Sequence, residues 1–186
     1  ARLGVKPVFF APHPAPDSRE HSAVRIWRCL SGIILGNEEI SDLAQLVFAM
    51  PPVQGDLAQA KAVLARRGLR QSQYAIIHPG SGGKRKNWPV EGFAAASRIV
   101  QKQTGAQLLI ASGEADGRAG EELAAAINAQ LLPEASLACL AGLLQLARGY
   151  LGNDSGISHL AALTGRPALA LFGPTDPALW APAGRH

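Results

Sequence analysis

The chain has 186 residues, 47% apolar and 17% charged, which fits one well-buried globular domain, alone or with a piece of another, and excludes disordered and fibrous classes. A net charge of +4 favours anionic ligands or an acidic membrane surface, whereas only 5% aromatic residues and no Arg/Lys stripe interleaved with rings exclude a nucleic-acid binder. Cys29 and Cys139 have no CxxC partner and no His at ligand spacing, and no apolar run nears the ~20 residues of a membrane span. No metal site or disulfide framework is expected, and a reducing cytoplasm is.

Pro7, Pro12, Pro14 and Pro16 predict extended or loop structure at the start, because proline removes a backbone donor. A helix is expected from His21 to about Ser31, with Val24, Trp27 and Cys29 on its apolar side. Met50-Pro51-Pro52 breaks the chain as an interdomain connection would, dividing residues 1–50 from 51–186. Leu57 to Arg67 reads as a helix stopped by Gly68. Tyr74 to Ile77 reads as a strand running into the glycine-rich stretch from His78 to Gly83, and Pro89 opens a helix through about Gln103. A strand at Gln107 to Ala111, helices at Arg118 to Ala129 and Leu137 to Arg148, a strand at Gly149 to Gly152, a helix at Gly156 to Leu163 and a strand at Ala168 to Phe172 follow. Four strands are counted, with a candidate fifth near Leu131. Such alternation predicts an α/β fold, a Rossmann-like parallel sheet with helices on both faces.

Ligands of these sheets sit beyond the carboxyl ends of the strands, where four loops converge: 78–83, 112–116, 153–158 and 173–176. The first, continued by Lys84-Arg85-Lys86, offers unhindered backbone N–H groups, the Ser81 hydroxyl and three cations ahead of a helix. This chemistry suits phosphate, although a solvated basic turn has the same composition. It is not a Walker A loop, since Arg85 follows Lys84. In the loop from Asn153 to His159, Ser155 and His159 are one helical turn apart. A hydrolase nucleophile elbow is excluded, because positions 153 and 157 are Asn and Ile instead of Gly. Asp154 or Ser155 could serve as a helix N-cap, leaving neighbouring N–H groups free for an anion, and His159 could pack beneath the loop. Thr175, in a stretch of turn formers, becomes a ligand contact by convergence with the other loops. Glu114 and Asp116 are both candidates to accept from ribose hydroxyls, or belong to a solvated loop.

Four stretches carry a resemblance in order: Ile77-His78-Pro79-Gly80-Ser81, Lys86-Asn87-Trp88-Pro89, the run from Gly152 to Ala162, and Leu171-Phe172-Gly173-Pro174-Thr175-Asp176-Pro177. Over roughly residues 74 to 182 the chain resembles the heptosyltransferase family, glycosyltransferase family nine. The resemblance implies a GT-B enzyme, in which two Rossmann-like domains face a cleft and the C-terminal one holds ADP-heptose. It implies that residues 51–186 are that donor domain and residues 1–50 the end of the acceptor domain with the connection out of it. Carried over by motif, Lys86 contacts the donor diphosphate with help from Ser81 and the Gly82 backbone. Asp154, Ser155, Gly156 and His159 surround the phosphates and the sugar, and Asp116 is the ribose partner with Glu114 its rival. The implied reaction is an inverting transfer of heptose, or a related sugar, from an ADP-sugar to a lipopolysaccharide core acceptor. It is expected in the cytoplasm, peripherally at the inner membrane surface, with no cofactor and no metal. The family's general base is an Asp in early loops of the N-terminal domain, which residues 1–50 do not supply, so this chain alone is expected to bind and not to catalyse. A non-catalytic nucleotide-sugar-binding module and a GT-B transferase using another nucleotide sugar are the alternatives.

Overall fold

The computed structural model describes residues 19–26, 51, 53–113, 116, 118–132 and 135–184. The proline-rich start, the second half of the helix expected from His21, and Glu114 lie outside these residues. Residues 22–26 are helical.

The remaining elements run α1 (Gln54–Arg66), β1 (Tyr74–His78), a 3₁₀ turn (Lys84–Lys86), α2 (Val90–Thr104), β2 (Gln107–Ala111), α3 (Ala119–Ile127), β3 (Gln130–Leu132), α4 (Leu137–Leu146), β4 (Gly149–Asn153), α5 (Gly156–Leu163), β5 (Ala168–Leu171) and α6 (Pro177–Trp180). The candidate strand near Leu131 is real and forms the sheet edge beside β2. The expected α4 is shortened at its end because Ala147 turns extended and Arg148 N–H donates to the Tyr74 carbonyl, joining the ladder. Helix α6 was not anticipated. Its signal was nevertheless present: Asp176 caps it by accepting from Ala178 N–H, with Pro177 in the first turn.

All strand pairs are parallel and the order is β3-β2-β1-β4-β5. Side chains alternate across a strand, and β1 shows it: Tyr74 and Ile76 enter one core with Leu109, Leu143, Leu144 and Tyr150. Ala75 and Ile77 enter the other with Phe93, Leu108, Ile110 and Leu123. Helices α1, α4 and α5 therefore cover one face, and α2 and α3 the other. Because the chain builds outward from β1 to β3 and then returns to lay β4 on the other side of β1, a crevice opens where the order reverses. Every site loop described below borders that reversal or neighbours it.

Close packing of α1 on α4 depends on Gly142, where an added Cβ would lie 2.5 Å from the Asp56 carbonyl oxygen and 3.0 Å from the Ala60 Cβ. Gly142→Ala should destabilise the domain by about 1–2 kcal/mol, since overpacking against backbone outweighs the helix preference for alanine. Gly55→Ala, which meets nothing within 4 Å, should leave the urea midpoint unchanged or raise it.

Candidate functional site

The carboxyl ends of β1, β2 and β3 and the start of α5 enclose a cleft of about 340 Å³. Its lining combines polar and small residues, Ser81, Gly82, Gly113, Asp116, Ser155 and Gly156, with an apolar wall of Leu132, Ala135, Leu137, Leu140 and Ile157. Ser155 stands at the N-cap of α5 but makes no cap bond with its side chain. Ser158 N–H turns back to the Ser155 carbonyl, whereas Gly156 and Ile157, which line the cleft, begin the helix without a side-chain cap, the arrangement that receives anions at helix starts.

Beside the cleft lies a knot centred on Asp154. One of its oxygens, Oδ2, accepts from Lys86 Nζ at 2.7 Å and from Thr175 Oγ1 at 2.7 Å. The carboxylate is 5% exposed, whereas the Lys86 side chain keeps 35% of its surface in solvent. A single 3₁₀ turn separates the three consecutive cations: Lys84 and Arg85 point outward and are exposed, and only Lys86 turns inward. The solvated-turn reading thus holds for two of the three cations and fails for Lys86.

Asn153, fully buried, supports this knot from below. Its Nδ2 donates to the Pro79 carbonyl at 2.7 Å and its Oδ1 accepts from Trp88 N–H at 3.1 Å, tying both sides of the glycine-rich loop to β4. Ser158 Oγ donates to the Asn153 carbonyl and is 3.0 Å from the Tyr150 hydroxyl. Ser81 closes its own loop, donating to Asn87 Oδ1 at 2.6 Å and lying 2.9 Å from the Gly83 carbonyl. Its hydroxyl shapes the backbone and is already engaged.

Asp116 is not a solvated loop residue. Its Oδ2 accepts from His78 Nε2 at 3.0 Å and from Gly113 N–H at 2.7 Å, and both side chains of the His78–Asp116 pair are 7% exposed. Burial pushes the His78 imidazole below its ordinary value of 6.5 despite the adjacent carboxylate, so the neutral ring donates from Nε2. His159 is half-buried and is likewise pushed down by burial, against the pull of Asp154, with His21 and Lys86 adding to the push.

The structure thus brings Ser81, Gly82, Asp116, Ser155 and Gly156 to the cleft wall. It gathers Lys86, Asp154 and Thr175 alongside through hydrogen bonds, with His159 close enough to feel Asp154 and Lys86. Neither Asp154 nor Ser155 caps α5 with its side chain. Sequence reasoning missed His78, Asn153 and Ser158 as organisers, and it missed the apolar wall. The partners of these residues come from other elements, and only the small-polar run after β4 hinted at them. Among the described residues no group of three or more His, Cys, Asp or Glu could hold a metal ion, and no helix is long and apolar enough to cross a membrane.

A parallel sheet wound on both faces with its cleft at the strand-order reversal defines a Rossmann-like α/β domain of the kind found in GT-B enzymes. The chain belongs to glycosyltransferase family 9 (heptosyltransferase), whose family model matches residues 39–186. Lipopolysaccharide heptosyltransferase 1 of Pseudomonas aeruginosa is 30% identical over 175 residues, covering 91% of this chain and 49% of that protein. The protein of the same name from Escherichia coli K12 is 28% identical over 143 residues, covering 76% of this chain and 44% of its own. Among solved structures, E. coli heptosyltransferase WaaC with ADP is similar with a TM-score of 0.64 and 25% identity, over 90% of this chain and 49% of that one. The family 9 glycosyl transferase from Veillonella parvula shares the fold with a TM-score of 0.71 at 21% identity, over 89% of this chain and 48% of that one. The chain spans about half the length of the curated relatives it matches.

Asn153→Ala should lower stability by about 2–4 kcal/mol, since it leaves the buried Pro79 carbonyl and Trp88 N–H without their partner; urea unfolding reads this directly. The two lowered histidines add a pH dependence. Below 6.5 the unfolded chain binds more protons than the folded one, so stability is full above that pH and declines as pH falls beneath it. Unfolding midpoints at pH 7.5 and 5.5 should show the decline, and His78→Gln should reduce it.

Proposed function

We propose that this chain forms the donor-binding portion of a family 9 glycosyltransferase that transfers heptose, or a closely related sugar, from an ADP-sugar to a lipopolysaccharide core acceptor. The observation that carries the reading is the cleft itself, which brings together an apolar wall of Leu132, Ala135, Leu137 and Leu140 that suits a flat base and the uncapped helix start at Ser155 and Gly156 that suits a diphosphate. The names of the relatives point the same way, since both proteins of highest identity described above are lipopolysaccharide heptosyltransferases and the WaaC structure contains ADP.

In an inverting transfer an acceptor hydroxyl attacks the anomeric carbon while the nucleoside diphosphate leaves with the bonding electrons. Negative charge grows on the leaving oxygen, and fixed donors aimed there lower the barrier. The N–H groups of Gly156 and Ile157 at the start of α5 and the Lys86 ammonium are the donors this chain offers. Asp154 holds Lys86 in position, so the ammonium is ordered before the ligand arrives. Lys84 and Arg85 face solvent and add to the attraction for an acidic membrane surface, in keeping with work at the cytoplasmic side of the inner membrane. The diphosphate is neutralised here by ammonium and backbone N–H groups, with no metal ion as intermediary.

Lys86→Ala should weaken ADP binding by on the order of tenfold to a hundredfold, the worth of one charge-assisted hydrogen bond at about 1.5–3 kcal/mol. Lys84→Ala should cost only a few-fold, and moderate salt should erase that loss. Calorimetric titrations at two salt concentrations, with unfolding curves to verify both variants, decide between a directed and a diffuse role: equal losses would remove the special place given to Lys86. In the same titrations ADP should bind with its affinity intact in EDTA and should outcompete UDP. A strict magnesium requirement or a preference for UDP would overturn the donor assignment.

A further inference from the structure

The wall of the cleft contains a buried pair, His78 and Asp116; the family resemblance implies a ribose contact for Asp116 and leaves His78 without a part. His78 is the last residue of β1 and Asp116 lies in the loop after β2, so the pair joins two neighbouring strand ends. All of the strength of this junction falls on one carboxylate oxygen, Oδ2, which accepts from both His78 Nε2 and Gly113 N–H. The other oxygen, Oδ1, carries no hydrogen bond to another described residue. It rests over Gly80, where an added Cβ would lie 1.9 Å from it. Glycine at 80 is therefore the clearance that lets this oxygen occupy its place in the wall.

A carboxylate at the end of the second strand is placed to accept from a hydroxyl of a nucleotide, but only if it is held in one rotamer. Two donors on Oδ2 and a glycine beneath Oδ1 supply that restraint. We infer that His78 is a positioning residue for nucleotide recognition: it orients Asp116 so that Oδ1 accepts a hydrogen bond from a ribose hydroxyl of the bound donor. This rests on the donor-binding reading. His78 contributes its Nε2–H from a neutral ring, and the ligand reaches Asp116, not His78.

The test compares ADP with 2′-deoxy-ADP and 3′-deoxy-ADP by calorimetry on the 186-residue chain. The chain with its own sequence should bind one of the deoxy compounds on the order of tenfold more weakly than ADP, the cost of a lost hydrogen bond to a charged acceptor. His78→Ala should bind ADP about as weakly as the unaltered chain binds that analogue, and should no longer distinguish the two. His78→Gln, whose amide can donate in place of Nε2–H, should recover a large part of the discrimination. Gly80→Ala should lose it by displacing Asp116. A general loosening of the fold would weaken ADP and its analogues by the same factor, so an unchanged ratio in His78→Ala overturns the inference. If His78→Ala does not fold, Asp116→Asn, which keeps the shape of the side chain, carries the same comparison. Failure of the unaltered chain to bind ADP at all would overturn the donor reading and this inference with it, whereas tight ADP binding with undiminished discrimination in the variants would overturn this inference alone.

Discussion

A carboxylate 5% exposed is tolerable only when its charge is matched, because an unpaired buried ion costs several kcal/mol. Asp154 at the end of β4 imposes that condition on the domain. The charge is met by Lys86 from the turn after β1 and the lone pairs by Thr175 from the loop after β5, so three segments distant in sequence must meet at one atom. Neutral donors alone would leave the charge uncompensated, and an exposed cation such as Lys84 cannot reach it. The 3₁₀ turn resolves this by presenting consecutive cations in different directions. The polar order around the cleft follows from that single requirement.

Asn153 is the complement of Asp154. Asn153 ends β4 and Asp154 follows it directly, the first neutral and fully buried and the second charged and nearly so. The amide satisfies one backbone acceptor and one backbone donor on the two sides of the glycine-rich loop. An aspartate there could accept from Trp88 but would repel the Pro79 carbonyl. The difference between a neutral and a charged group of equal size decides which residue holds the loop and which holds the lysine.

Much of this architecture was legible in the sequence because it is local. Strand-helix alternation, the apolar run at Tyr74 to Ile77 and the stop at Gly68 follow from periodicity and turn chemistry, and the parallel sheet follows from them. Strand β3 was legible only as a candidate, since three residues carry little pattern. The candidate site was readable as loops and unreadable as bonds. Lys86 and Asp154 are 68 positions apart, and His78 and Asp116 are 38; no local pattern joins them. For the same reason Ser81 and Asp116 looked like free ligand groups, although the fold commits the hydroxyl of one and an oxygen of the other to its own loops. The apolar wall was hidden because Leu137 and Leu140 read as ordinary helix-core residues.

Strand β1 is paired on both sides and buried along all five residues, and it delivers the chain directly into the cleft. Amides in so central a strand exchange with solvent mainly when the whole domain opens. A ligand seated at its end therefore has no separate local equilibrium to act on: occupancy must be felt as added resistance to global opening, growing with the logarithm of ligand concentration. Deuterium uptake at Ala75 to Ile77 would then record nucleotide occupancy from deep inside the sheet, without any of those residues touching the nucleotide.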